Sequence, residues 1–444
     1  MPIYHIIIPQ PVITLTPKEI TPVNNLLIIN ARIITLASEK YTNPRRGPAA
    51  MRDLGICENG FILIDAEQGI ITAGGNMSDI RNDLIKSSQQ VINANGRILL
   101  PGFIDCHTHA CWAGSRLDEF QQKLEGTSYL DILKSGGGIM ATVRDTRNAS
   151  QQQLTDLTTK HLKRMLAFGT TCAEIKSGYG LNTTTELKML RAIDQTQSNL
   201  PHITIKKTAL IAHAVDPDQP DFFNTTITET LPAIAKEYPG ITIDAYCEDG
   251  AWPLDQTRKL FTRAKSLNCN LRIHTDQFNS LGSTQLALEL GATSVDHLEA
   301  VTDKDIPLIA NSNTIAVALP ASGFNTDNRY APARKLIDQN AALAIATNYN
   351  PGSAPSPSIP FTLALACRKL NMTPAEAITA ATINAACVLN LQNKLGSIEP
   401  AKLANLTIWD ETDERALAYE FATTPPLAVI ANGIIQILDE SLKQ

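Results

Sequence analysis

The 444-residue chain holds no apolar run near the roughly 18 residues that a membrane span needs, so it offers no candidate transmembrane helix. No run of lysine or arginine stands out, and a formal charge of -6 is small for this length. Nucleic acid and anionic membranes therefore find little to hold, and the expected partner is a small molecule. The eight cysteines (Cys57, Cys106, Cys111, Cys172, Cys247, Cys269, Cys367 and Cys387) include no Cys-x-x-Cys pair. Their scatter argues against a disulfide framework and a thiolate zinc site, and Cys106 reads as a buried small hydrophobe. The apolar start, Met1 to Pro9, lacks a basic region and is cut by prolines. It does not read as a signal peptide, and the expected location is the cytoplasm.

What is present describes an ordinary globular protein, with 43% hydrophobic and 18% charged residues. From Leu26 to about Asn95 the chain reads as short strands broken by turns: 26–36, 60–65, 69–74 and 90–95. The same grammar returns at 404–409 and 427–438. Residues 1–96 and 391–444 are thus expected to form one small β-sandwich domain from both termini. Between them, apolar runs of about six residues alternate with helical stretches such as 151–168, 229–238 and 254–267, the pattern of βα units around a parallel sheet. Candidate strands are 97–104, 170–176, 204–212, 241–247, 269–274, 292–297, 314–319 and 342–347. Eight strands close a barrel, and no Gly-x-Gly-x-x-Gly follows a first strand, so residues 97–390 are expected to form an α/β fold of the (β/α)8 TIM-like class.

In such a barrel the chemistry collects at the C-terminal ends of the strands. His107 and His109 end the first candidate strand and, two residues apart, project the same way. Lys176 and Tyr179 follow the second, His213 ends the third, Glu248 follows the fourth, His274 ends the fifth, His297 the sixth, and Asn348 the eighth. Five of the chain's eight histidines fall at these ends. Neutral nitrogens from His107, His109 and His274 would supply most of a site for zinc or iron while leaving a position for water. Metal-bound water becomes hydroxide near neutral pH, which suits hydrolysis of an amide-like carbon.

Pro101-Gly-Phe-Ile-Asp-x-His-x-His109, the single His274, the His297 segment and the flanking β-sandwich together resemble the amidohydrolase superfamily. Finer motifs resemble its imidazolonepropionase family: Ala113-Gly-Ser-Arg-Leu-Asp-Glu-Phe120, Ser135-Gly-Gly-Gly-Ile139, Glu174-Ile-Lys-Ser-Gly-Tyr-Gly180, Ala212-His-Ala214, His274-Thr-Asp-Gln277, Asp296-His297 and Asn350-Pro-Gly-Ser353. The resemblance implies hydrolytic opening of 4-imidazolone-5-propanoate to N-formimino-L-glutamate in histidine degradation, and a homodimer. It implies one divalent metal ion, zinc or iron, held by His107, His109, His274 and the residue at 348. It implies a pocket lined by Arg116, Tyr179, His213, Gln277, Asn350, Gly352 and Ser353, with Arg116 and Tyr179 suited to the propanoate. His297 is the expected general base or proton shuttle. Lys176 is read as a rim residue beside a mononuclear site. His-x-His alone also fits an aminohydrolase acting on a purine, pyrimidine or triazine ring.

One position departs from the family pattern, which has aspartate in Ala-Thr-Asp-x-Asn-Pro-Gly, whereas this chain reads Ala346-Thr-Asn-Tyr-Asn-Pro-Gly352. Asparagine is neutral; it can ligate weakly through its carbonyl oxygen but cannot act as a base. The proton transfer then falls to His297 or Glu248, or the chain is a catalytically impaired homologue that binds a small ligand.

Overall fold

A computed structural model describes residues 25–127, 131, 136–421 and 425–443. The apolar start, the first part of the terminal domain expected at 1–96, and Ser135 of the Ser-Gly-Gly-Gly-Ile motif lie wholly or partly outside the described residues.

The strands in chain order are β1 (Asn25–Ile34), β2 (Ile56–Asp65), β3 (Ile70–Asn76), β4 (Gln90–Asn93), β5 (Ile98–Pro101), β6 (Phe103–Asp105), β7 (Thr170–Lys176), β8 (Thr204–Ala212), β9 (Thr242–Cys247), β10 (Asn270–Thr275), β11 (Ser294–His297), β12 (Ile315–Ala318), β13 (Leu343–Ile345), β14 (Leu406–Ile408), β15 (Ala428–Ala431) and β16 (Ile434–Leu438). They form two sheets. The first runs β16-β15-β14-β5-β1-β2-β3, with β4 also on β1, and so joins both ends of the chain. β1 is nearly all aliphatic, which puts an apolar side chain on both of its faces. Leu26 and Ile28 pack with Ile62, Ile64 and Leu406 on one face, and Leu27 and Ile29 pack with Phe61, Leu63 and Leu84 on the other.

The second sheet is the barrel, with eight parallel strands in simple sequence order from β6 to β13. Its first and last strands meet just beyond their C-terminal ends. There Thr108 bridges Tyr349, His109 N–H donates to the Tyr349 carbonyl at 2.9 Å, and Asn348 N–H donates to the His107 carbonyl at 3.1 Å. Among the described residues no helix is long and apolar enough to cross a membrane.

Two strand readings are corrected. The run expected as one strand over 97–104 is divided: β5 pairs with β1 and β14, and only β6 enters the barrel beside β7. The barrel therefore takes up the chain at Phe103 and not at 97. The break falls at Pro101-Gly102, where proline has no N–H for a ladder. A Cβ on Gly102 would stand 2.4 Å from the Thr171 side chain, so only glycine lets the backbone cross that strand. The run at 427–438 is likewise two strands, β15 and β16, joined by Asn432 (φ 48°) and Gly433 (φ 76°). Both central residues at positive φ are what a type I′ hairpin turn requires, and Asn-Gly is its favoured pair.

An aromatic group braces the loops at the barrel seam. His161, on the helix Gln151–Ala167, stacks on Trp112 at 3.8 Å between centroids and meets the Tyr349 ring edge-on at 5.6 Å. His161 Nδ1 lies 2.8 Å from the Ala110 carbonyl. Burial pushes this imidazole down to about 4, against the opposing pull of that carbonyl. The folded state thus refuses a proton that the unfolded chain accepts below about pH 6.5, so the stabilisation is complete above that pH and is lost as pH falls to about 4. We expect the stability of the wild type minus that of His161→Phe to fall by about 3 kcal/mol between pH 7 and pH 4. Urea unfolding at several pH values checks this, and a pH-independent difference would rule it out.

Candidate metal centre

His107 and His109 follow β6 and His274 lies on β10, yet one ring nitrogen from each falls within 4.8 Å of the other two. The Nε2 atoms of His109 and His274 are 3.3 Å apart. His107 Nδ1 is 2.6 Å from Asp296 Oδ2, and His274 Nδ1 is 3.1 Å from Asp244 Oδ1. A carboxylate partner places the proton on Nδ1, so each Nε2 keeps its lone pair. Burial holds all three imidazoles below their ordinary range, so they are neutral. His107 Nε2 and the Asn348 carbonyl oxygen Oδ1 are buried with no hydrogen-bond partner. Lone pairs of this kind left without donors, on neutral nitrogen and amide oxygen, fit a divalent cation and would be costly without one.

Beneath the histidines lies a ring of buried charge. Arg272 donates from Nη2 to Asp296 at 2.6 Å and pairs through Nη1 with Glu174. Lys176 Nζ reaches Glu174 Oε1 at 3.0 Å and Asp244 Oδ2 at 2.7 Å. Thr208 donates to Glu174, and Ser294 donates to Asp296 at 2.5 Å. Burial pushes the Asp244 carboxyl up, but His274 and Lys176 outweigh it and hold it well below the usual range. Lys176 is corrected from a rim residue to a floor residue: it is fully buried and sits between two carboxylates. Asp105 braces the neighbouring strand end, accepting from Thr347 N–H at 3.2 Å and from its hydroxyl at 2.5 Å, immediately before Asn348.

Glu248, the second expected proton acceptor, is held by the loop after β10. Its two oxygens accept from Asp249 N–H (2.9 Å), Asn279 Nδ2 (2.8 Å), Phe278 N–H (2.8 Å) and Asn279 N–H (3.2 Å). Four donors fill a carboxylate, and Glu248 anchors the loop that carries half-buried Gln277. His297 ends β11 at φ 86°, with Leu298 following at φ 70°, a backbone that side chains adopt only under constraint. Its ring centroid is 5.4 Å from that of His274, and its Nδ1 is 3.1 Å from Glu299.

The expected pocket residues gather around these groups. The His213 ring stacks on His109 at 4.9 Å, and Tyr179 lies 5.1 Å from His213. Burial, with His274 beside it, pushes His213 down to about 3, so it is neutral. Burial also raises the Tyr179 phenol above its ordinary range and keeps it a donor. Arg116 pairs with Glu119, but its Nε is buried without a partner. A Cβ on Gly352 would stand 3.5 Å from Arg116 Nη1, so Arg116 adjoins the Asn350–Ser353 turn. Asn350, expected as a substrate contact, braces its own turn. Its Oδ1 accepts from Gly352 and Ser353 N–H, both at 2.8 Å, and its Nδ2 donates to the Asn348 carbonyl at 2.6 Å and to Ser353 Oγ at 3.0 Å.

Several supporting residues escape the strand-end reading. Glu186 accepts from Gly180 N–H at 2.7 Å and Leu181 N–H at 2.9 Å, which fixes the loop carrying Tyr179. Asp244, Arg272, Glu174 and Asp105 also go unread. The one available signal is a charge two residues before a strand-end group, as in Glu174-Ile-Lys176 and Arg272-Ile-His274, which alternation turns to the same face.

A family model described as the amidohydrolase family matches residues 98–436. An imidazolonepropionase from Herpetosiphon aurantiacus is 41% identical over 383 residues, covering 84% of this chain and 89% of its own length. One from Solibacter usitatus is 40% identical over 413 residues, covering 91% and 97%. Among solved structures, E. coli guanine deaminase aligns with a TM-score of 0.71 at 13% identity, covering 94% of this chain and 99% of that one. A 5-methylcytosine deaminase from Klebsiella pneumoniae gives 0.70 at 15%, covering 93% and 98%. At such identities the structural likeness is one of fold alone.

His107 and His274 each have a carboxylate behind them, and such partners govern how well a site holds a cation. Asp244→Asn is expected to weaken divalent-metal binding about 10- to 100-fold, with the far-ultraviolet circular dichroism unchanged. Competition with a chromophoric chelator measures this, and an unaltered affinity would remove Asp244 from the site.

Proposed function

Because the chain belongs to the amidohydrolase family, and within it to the imidazolonepropionases, we propose that its barrel hydrolyses 4-imidazolone-5-propanoate to N-formimino-L-glutamate. It is a hydrolase of a cyclic amide C–N bond, and the reaction is a step of histidine degradation. The observation that carries the residue assignment is the convergence of three neutral imidazoles whose ligating nitrogens lie within 4.8 Å.

In this reading His107, His109, His274 and the Asn348 carbonyl oxygen hold one divalent ion, zinc or iron. Once bound, that ion brings the pKa of water to near neutrality and supplies a hydroxide equivalent. The chain's own groups do the rest. Arg116 and the Tyr179 hydroxyl bind the propanoate, the Arg116 Nε being the donor left unpaired inside the fold. His213 and Gln277 orient the ring. Asn348 has no basic lone pair, so the proton of the attacking water passes to His297. With its Nδ1 turned to Glu299, His297 offers Nε2 to take that proton and return it to the departing ring nitrogen. The reaction is placed in the cytoplasm and the active species is taken as a homodimer, the latter tested by light scattering.

The neutral residue at 348 also supports a second reading, a catalytically impaired homologue that retains the pocket. A positioned proton acceptor is worth about 100- to 10,000-fold in rate. Asn348→Asp is therefore expected to raise kcat at least about 100-fold, followed by the ultraviolet loss of imidazolone; equal kcat in the two proteins would show that residue 348 has no part in proton transfer. Arg116→Ala is expected to raise KM about 10- to 100-fold, the worth of a charged hydrogen bond, with metal content unchanged. An unaltered KM would count against a carboxylate-bearing substrate.

A further inference from the structure

The groups facing the proposed metal carry no charge. An imidazole ligates through a neutral nitrogen, so His107, His109 and His274 bring no charge as ligands, and Asn348 is an amide. A divalent ion placed among them would sit in a buried, low-dielectric pocket with nothing at contact distance to balance it, and buried charge is stable only when compensated.

Compensation is available one layer down. The hydrogen bonds form one continuous path from ligand to ligand: His107, Asp296, Arg272, Glu174, Lys176, Asp244, His274. Asp296 takes three donors at 2.5–2.6 Å, from His107, Arg272 and Ser294, which suits a carboxylate and would leave one donor unmet in a carboxylic acid. Asp244 accepts from Lys176 Nζ at 2.7 Å and faces His274 Nδ1 at 3.1 Å, the setting of a carboxylate. Three carboxylates stand against two cations, so the ring has one negative charge in surplus. Asp105 lies outside this path, tied to the Thr347 N–H and hydroxyl. Glu174 is the member farthest from either histidine along the path and the one both cations share.

Resting on the metal reading given above, we propose that the surplus negative charge of this ring compensates the divalent ion, standing in for the carboxylate that position 348 lacks, and that Glu174 is a positioning residue which sets the surplus without touching a ligand. Glu174→Gln keeps the shape and the acceptor oxygen but brings the ring to neutrality. Asn348→Asp adds one negative charge at the other side of the histidines.

Zinc affinity of the metal-stripped protein is measured by chelator competition for the wild type, Glu174→Gln, Asn348→Asp and the double variant, with circular dichroism reporting the fold. Glu174→Gln is expected to bind zinc about 10- to 100-fold more weakly, Asn348→Asp more tightly, and the double variant close to the wild type. A packing defect at 174 would not be recovered by charge added at 348. Wild-type affinity in Glu174→Gln, or no recovery in the double variant, overturns the inference. Should Glu174→Gln fail to fold, Asn348→Asp alone decides, because unimproved zinc binding there overturns it too. A wild type that binds no zinc or iron defeats the metal reading itself, a result separate from all of these.

Discussion

The hydrogen bonds from two buried carboxylates to two imidazoles are the constraint on which the rest of this site depends. An imidazole ring alone can turn and can carry its proton on either nitrogen. Asp296 and Asp244 remove both freedoms for His107 and His274, aiming their Nε2 lone pairs inward. Carboxylates in a barrel interior are unstable without partners, and that need accounts for the otherwise costly Arg272 and Lys176 beneath them. The cations in turn require Glu174. Each charge in the floor is thus the condition for the one above it, and the chain of conditions ends at the ligands.

The barrel makes room for this floor by dividing its interior. Ile104, Cys106 and Cys172 on β6, its extension and β7 pack with Ile315, Val317, Ala342 and Ala344 of β12 and β13 or beside them, together with Ala385 and Val388 below. That side is an ordinary apolar core. The charged ring occupies the arc from β7 to β11. The seam where β13 meets the end of β6 then joins the two halves at the candidate metal centre, since His107, His109 and Asn348, which close the barrel by backbone bonds, are among the proposed ligands.

This division explains which residues were legible in the sequence. His107 and His109 stand at the end of an apolar run at a spacing of two, so their shared direction follows from strand geometry alone. Glu174, Arg272 and Asp244 sit inside strands, where a charged residue alternating with apolar ones reads as the solvent face of a half-exposed strand. In a closed barrel that second face is interior, so the alternation is true and its usual meaning is reversed. For Glu248 the limit is different: a strand-end position predicts the rim but not the direction, and its side chain turns along the rim to the loop after β10. The first barrel strand is shorter than its apolar run because Pro101-Gly102 interrupts hydrogen bonding without interrupting hydrophobicity. The hairpin of β15 and β16 was readable from Asn432-Gly433, and the length of the apolar run obscured it.

Position 348 shows how placement and chemistry are separated here. The residue stands at φ 56°, a left-handed conformation that asparagine tolerates better than most side chains. Its backbone is fixed from three sides without help from its own side chain: N–H to the His107 carbonyl, carbonyl to Asn350 Nδ2, and the preceding Thr347 clasped by Asp105. The side chain makes a single long approach, Nδ2 to Ser353 Oγ at 3.5 Å, and leaves its oxygen free. A change between amide and carboxylate at this point therefore alters charge and basicity while the backbone keeps the atom where it is. The fold can carry a neutral residue there because the scaffold that positions it is independent of it, and in the proposal above the charge that residue does not supply comes from the floor beneath the histidines.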